Sequence, residues 1–366
     1  MTFIDSDDYI QNDMIQYLYE IILKGVDIAI CDYIILDEIQ KVEDFESVLN
    51  GFLHIENLDV YVTGSNSKFL SSDIKSEFRG RGDEVRVLPL TFSEFVTAYE
   101  RKGENMSLQF IAGGSGSGKT RYLYEKVIKE SEEHPDIQYL LKDLFERTYL
   151  SDIIERHNIQ RIDVLDTLVN ILASSIGSLT NPKKLSDTFI SNSMKDVSIN
   201  TITSYINYLE DSFLIKKVER YDVKGKKYIS TPSKYYFADI GLRNARLNFR
   251  QQEEDHIMEN IIYNELLYRG YNVDVGIVEI REKNIRKQTE VDFICNQADK
   301  RYYIQVALSL PTREKTLQEE RPLMNINDNF KKIIIVKDGK KSWTTEEGIL
   351  IIGLQEFLLN KDSLYL

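Results

Sequence analysis

The stretch "DYIILDEIQ", residues 32–40, decides the fold. Its apolar run does not alternate with polar residues, and it ends in two acids, Asp37 and Glu38. Such a run reads as a strand buried on both faces, which implies a parallel sheet. Working outward, "LDVYVTGSNS" (58–67) reads as a second buried strand ending in a polar turn, and Asp44 to Ile55 reads as a helix between the two. "DEVRVLPLTF" (83–92) gives a third strand, followed by a helix in "SEFVTAYERKG". Upstream, Ile10, Met14, Tyr17, Leu18 and Ile21 fall on one face of a helix predicted over 8–24. Strands alternating with helices predict an α/β layer. Open α/β sheets bind ligands beyond the carboxyl ends of their strands, where Asp37 and Glu38 would be delivered.

A second stretch explains what those acids would serve. "FIAGGSGSGKTRYLYE" (110–125) fits a phosphate-binding loop: Gly113, Gly114, Ser115, Gly116, Ser117, Gly118, Lys119 and Thr120 match the spacing G-x-x-x-x-G-K-[ST]. Glycines let backbone N–H groups curl around phosphate oxygens, and the helix that follows presents its positive end. Lys119 would reach the β- and γ-phosphates of ATP, and Thr120 would ligate Mg²⁺. "GGSGSG" alone would suit a flexible linker. The GKT, with the strand "LQFIA" before it and "RYLYEKVIKE" after it, favours nucleotide. Asp37 would then hold Mg²⁺ through water, and Glu38 would polarise the attacking water. Thr63, Ser65 or Asn66 would lie near the γ-phosphate. Arg79 and Arg81 read either as arginine fingers toward a neighbour's nucleotide or as solvated surface residues.

Composition sets the outer limits. The chain has 366 residues, 42% hydrophobic and 29% charged, enough for two or three soluble domains. No apolar run reaches the roughly 18 residues that a membrane crossing needs, and the N-terminus is acidic and polar, so a cytoplasmic protein is expected. Two cysteines, Cys31 and Cys295, and four histidines argue against a disulfide framework or a zinc site. A net charge of −13 excludes a protein that coats nucleic acid nonspecifically. Any DNA contact would be local, through "IKKVERYDVKGKK" (215–227) or "REKNIRKQ" (281–288).

The second half changes character. Residues 138–175 read as helical. The helix signals at 181–189 and 199–214, followed by a basic strand–turn–strand, look like a winged helix. Helix 199–214 would then be its recognition helix, and Lys224, Lys226 and Lys227 would lie in its wing. A winged helix used only for packing is the competing reading. Residues 252–366 mix helices and strands again.

The motifs together resemble a known family. "DYIILDEIQKVEDFESVLNGFL", "LDVYVTGSNSKFLSSDI", "RGRGDEVRVLPLTFSEF", "YLSDIIERHNI", "ASSIGSLTNPKKLS", "KYYFADIGLRNARLNFR" and "IMENIIYNELLYRGYNVDVG" resemble, in order, the prokaryotic AAA-type ATPases with a C-terminal domain of unknown function (DUF4143). The resemblance covers about 1–100 and 145–366. The family's own phosphate loop precedes the segment with which this chain starts. In place of a helical lid stands "MSLQFIAGGSGSGKTRYLYEKVIKESEEHPD", which resembles the N-terminal loop of the B-type subunit of ATP-dependent helicase/exonucleases. Either "LQFIA" fills the vacant central slot of the sheet, or the loop stands apart. The last segment resembles the restriction-endonuclease-like fold, which implies a metal site of Glu259 or Glu265 with Asp292 and Gln305. Its lysine position holds Ala307, so an active nuclease is not expected.

The fold expected from all this is α/β. An AAA-like parallel-sheet P-loop domain would span 1–145, with its inserted segment at about 104–137. A helical and winged-helix domain would follow at 146–250, and a restriction-endonuclease-like domain at 251–366. The expected activity is ATP binding with Mg²⁺-dependent hydrolysis, with DNA and a second copy of the chain as further candidate partners. The alternative is a DNA-binding or nuclease-like protein with a degenerate ATPase site.

Overall fold

The structure, a computed structural model, describes residues 32–36, 45–52, 54, 58–62, 91, 93, 142, 145–146, 150–191, 197–250, 253–282, 285–338 and 341–365. The chain divides into two compact units, Met1–Val85 and Arg86–Leu366.

In the first unit, β1 (Asp32–Leu36) and β2 (Leu58–Val62) pair in parallel from Asp32↔Leu58 to Leu36↔Val62. Helix α1 (Phe45–Phe52) lies between them in sequence, with Leu49 and Phe52 buried. This is the strand–helix–strand unit that the opening run predicts, with the two strands parallel because a helix makes the return crossing. The helix expected at 8–24, the whole glycine loop and, but for Thr91, the strand expected at 83–92 fall outside the described residues.

The described residues of the second unit include helices α2 (Ser151–Arg156), α3 (Ile162–Ser174), α4 (Pro182–Ser191) and α5 (Ile199–Asp211). Ser198 caps α5 by accepting the Thr201 N–H at 3.0 Å. A hairpin follows, β3 (Ile215–Asp222) and β4 (Lys227–Phe237), then α6 (Ile240–Arg246) and α7 (Glu254–Tyr268). Asp239 caps α6, accepting from the N–H groups of Gly241 (2.7 Å) and Leu242 (3.1 Å). Beyond α7 come β5 (Asn272–Glu282), β6 (Ile285–Gln297), β7 (Lys300–Ala307), α8 (Arg313–Met324), β8 (Lys331–Val336), β9 (Trp343–Thr344), β10 (Leu350–Gly353) and α9 (Leu354–Leu359).

The eight strands described in this unit form one sheet, in the order β4-β3-β5-β6-β7-β8-β10-β9. The order of elements from α4 to β4 is the expected two helices and a hairpin. The hairpin, however, is no detached wing: β3 runs parallel to β5 over Arg220↔Val275 to Asp222↔Ile277. The domain boundary expected at 250 therefore falls inside a continuous sheet. The core agrees, because one cluster joins Leu168, Phe189 and Leu209 of the helices to Ile262, Phe293 and Ile304. A second cluster, with Val278, Ile294, Tyr303 and Ile334 of the sheet and Leu323 of α8, covers the opposite face. "KKIIIV" and "LIIG" are continuous apolar runs because β8 and β10 pair in parallel beneath helices on both faces.

Buried polar groups tie the hairpin to the rest. Asn260 of α7 donates to the Phe237 carbonyl and accepts from the Phe237 N–H, both at 2.8 Å. Asn264 adds bonds to the carbonyls of Phe237 (3.0 Å) and Ala238 (3.1 Å). The amide of Asn260 thus does for β4 what a neighbouring strand would do. Arg243, with no exposed surface, donates to the Ala173 carbonyl at 2.7 Å and fixes α6 on α3.

Candidate functional site

Two sites are expected, and the described residues bear on them unequally. Of the nucleotide site they hold the two strands beneath it. The register Leu36↔Val62 ends one residue short of Asp37 on one strand and of Thr63 on the other. Asp37, Glu38, Thr63, Arg79, Arg81 and Gly113 to Thr120 lie outside the described residues.

The second site can be built atom by atom. Glu290 and Asp292 stand on β6. Opposite them the ladder pairs Gly276 with Val291 and Asp274 with Ile294, so Asp292 and Phe293 together face the single residue Val275. That is a β-bulge, which bends a strand and re-aims a side chain. Gly276 permits it: a Cβ there would meet Val291 Cβ at 3.0 Å and Ile294 Cδ1 at 3.1 Å.

Asp292 Oδ2 accepts the Val306 N–H at 2.8 Å. Glu259, on α7, lies near enough to repel it. The carboxyl of Asp292 is pushed well above the usual range, first by burial and then by Glu259, with Lys234 opposing.

Lys234 is the residue that the sequence does not announce. It sits on β4, with its side chain only 5% exposed. Its Nζ lies 2.8 Å from Glu259 Oε1 and 2.5 Å from Glu290 Oε1. Burial alone would lower its pKa, but Glu259, Asp292 and Glu290 outweigh that and hold the ammonium charged, above its ordinary value. Tyr236 donates its hydroxyl to Glu259 Oε1 at 2.5 Å, and its ring stacks on Tyr263. Gly177, at φ 70°, lies near Glu259: a Cβ there would stand 3.5 Å from both of its carboxylate oxygens.

Glu290, Asp292 and Gln305 also line a cavity of about 320 Å³, together with Lys287, Glu319 and Arg321 among others. Gln305 Oε1 is buried without a hydrogen-bond partner.

Of the predicted metal set of Glu265, Asp292 and Gln305, Asp292 and Gln305 line one cavity, and Glu265 is not among its lining residues. Glu265 accepts from Arg269 Nε at 3.0 Å, and Arg269 in turn donates to Ser363 Oγ at 3.1 Å, so this acid is committed to anchoring the C-terminal end of the chain. Of the two glutamates weighed, Glu259 is the one beside Asp292. Among the described residues no group of three or more His, Cys, Asp or Glu side chains is arranged to hold a metal ion. The Lys234 ammonium lies on one oxygen each of Glu259 and Glu290, where a divalent cation of the kind that a restriction-endonuclease-like site would use would meet a like charge. The lysine expected near Gln305 is Ala307, which is buried in the core under α8.

Comparison with known proteins agrees with the order of parts. Residues 1–96 match the model of an AAA domain, 124–253 a domain of unknown function (DUF8612), and 254–357 another (DUF4143). An uncharacterized protein of Haemophilus influenzae is 34% identical over 331 residues, covering 89% of this chain and 77% of that protein. The chain belongs to its family, the AAA-domain proteins with a C-terminal DUF4143 segment. An uncharacterized protein of Methanocaldococcus jannaschii is 26% identical over 370 residues, 96% of this chain and 79% of its own length. The B-type subunit of an ATP-dependent helicase/deoxyribonuclease of Caldanaerobacter subterraneus is 24% identical over 196 residues, 51% of this chain but 17% of that protein.

In these terms Lys234 belongs to the DUF8612 segment, whereas Glu259, Glu290 and Asp292 belong to the DUF4143 segment. The glycine loop at 113–120 falls between the AAA match and the DUF8612 match. Among the described residues no helix is long and apolar enough to cross a membrane.

Proposed function

We propose that the chain binds ATP with Mg²⁺ and hydrolyses it. One observation carries this: within the AAA match, β1 and β2 pair in parallel and run out at Leu36 and Val62, immediately before Asp37 and Thr63. That edge is where an open parallel sheet meets its ligand. Lys119 and the backbone of Gly113 to Gly118 hold the phosphates, and Thr120 and Asp37 hold Mg²⁺. Bound Mg²⁺ neutralises charge on the phosphate oxygens. Glu38 accepts a hydrogen bond from the attacking water and aims it at the γ-phosphate, and Thr63 lies beside that phosphate. Arg81 reaches the nucleotide of a second copy of the chain.

The purified chain should hydrolyse Mg-ATP, and Glu38→Gln should keep ATP binding while losing about 100-fold or more in turnover, the scale of a positioned general base. Loss of binding together with turnover would remove Glu38 from this role.

A second reading, DNA contact, has one observation in its favour. Lys226 and Lys227, at the turn of the β3–β4 hairpin, are exposed. The exposed residues of α5 include Asn200, Thr203 and Asn207, none of them basic, so contact would be with the phosphate backbone through the turn rather than with base edges through the helix.

A further inference from the structure

We infer that Lys234 is the resident cation of the Glu259–Glu290–Asp292 cluster, and that it closes the cluster to divalent metal. One oxygen of each acid is already engaged. Glu259 Oε1 accepts from two donors, Lys234 Nζ at 2.8 Å and the Tyr236 hydroxyl at 2.5 Å. Glu290 Oε1 takes the same ammonium at 2.5 Å. Asp292 Oδ2 is held by the Val306 N–H. A cation such as Mg²⁺ or Mn²⁺ binds carboxylate oxygens at about 2.0–2.2 Å, so it would sit against an ammonium that it repels. The ammonium cannot swing away without losing its partners, since its side chain is 5% exposed and β4 is fastened a few residues on by Asn260 on Phe237.

The lysine and its acids come from the two differently matched segments, 124–253 and 254–357. The closure is therefore also a tie between those segments. With Lys234 removed, the carboxylates keep their positions on α7 and β6, and Gln305 Oε1, which has no partner, shares the cavity wall with Asp292. That set would take the metal that the intact chain refuses.

The test uses the full chain without nucleotide, titrated with MnCl₂ and followed by calorimetry and by thermal unfolding. The intact chain and Asp292→Asn should give the same Mn²⁺ isotherm, since the cluster contributes nothing to it. Lys234→Ala should gain one Mn²⁺ per chain and a Mn²⁺-dependent rise in Tm, and both should vanish in the double variant Lys234→Ala/Asp292→Asn. A Mn²⁺ site in the intact chain that Asp292→Asn abolishes would overturn the inference. So would a folded Lys234→Ala that gains no site. If Lys234→Ala does not fold with or without Mn²⁺, the comparison of the intact chain with Asp292→Asn decides alone.

Discussion

Two pairs of acids stand on or just beyond strands in this chain, and they differ in how they are neutralised. Asp37 and Glu38 follow β1 directly, and the strand that pairs with β1 is also the next one in sequence. Glu290 and Asp292 stand on β6, and the counter-charge of Glu290 comes from β4, three places away in the sheet order. The first pair is proposed to meet a ligand that the sequence names, a phosphate bound by a glycine loop. The second is answered from inside the protein. An acid pair is a binding site only where the fold leaves its charge uncompensated, and no motif spacing reports that.

The largest effect expected from this contrast is at Lys234. Lys234→Ala should destabilise the second unit by about 3–5 kcal/mol, the scale for leaving buried carboxylates without their partner. Urea unfolding of the full chain, followed by aromatic fluorescence, would measure it. A loss no larger than that of an exposed ion pair would mean that the cluster is solvated, and the contrast would break.

Asn260→Leu comes next. It keeps the branching and heavy-atom count of the side chain but strands the buried N–H of Phe237, whose carbonyl retains Asn264, at a cost of about 1–3 kcal/mol. The same unfolding experiment applies, and amide exchange at Phe237 should accelerate sharply. Unchanged protection there would show that β4 is held without α7.

The smallest effect has a definite sign with pH. Folding raises the pKa of Asp292, so its contribution is fully present below the unfolded value, roughly 4, and is lost as pH rises through the folded value. Asp292→Asn removes that loss. The variant should match the intact chain at about pH 4 and exceed it in stability at about pH 8. Thermal unfolding at the two pH values checks it, and a variant less stable at the higher pH would show Asp292 to be ionised and paired.

The legibility of the molecule follows the same line. The parallel pairing of 32–36 with 58–62 is readable because apolar continuity and the intervening helix are local properties. The hairpin after α5 is readable as strand–turn–strand, but not its membership of the large sheet. That membership rests on pairings such as Tyr221↔Gly276, which nothing near Tyr221 encodes. Glu259 and Glu265 look alike in sequence, both on one helix among apolar residues. Arg269, one turn after Glu265, is the available signal, since a glutamate with arginine four residues on is a ready ion pair. Lys234 gives a weaker signal: a lysine inside "KYYF", where β4 turns from exposed to buried, is a charge that must find a partner.

The most direct measurement is Mg-ATP binding by calorimetry to the intact chain, Lys119→Ala and Asp37→Asn. The account predicts clear binding, weakened about tenfold or more by either substitution, because a loop late in the chain and an acid early in it serve one nucleotide. Binding lost in Lys119→Ala but unchanged in Asp37→Asn would contradict it, leaving the loop to hold phosphate apart from the sheet edge that β1 and β2 build.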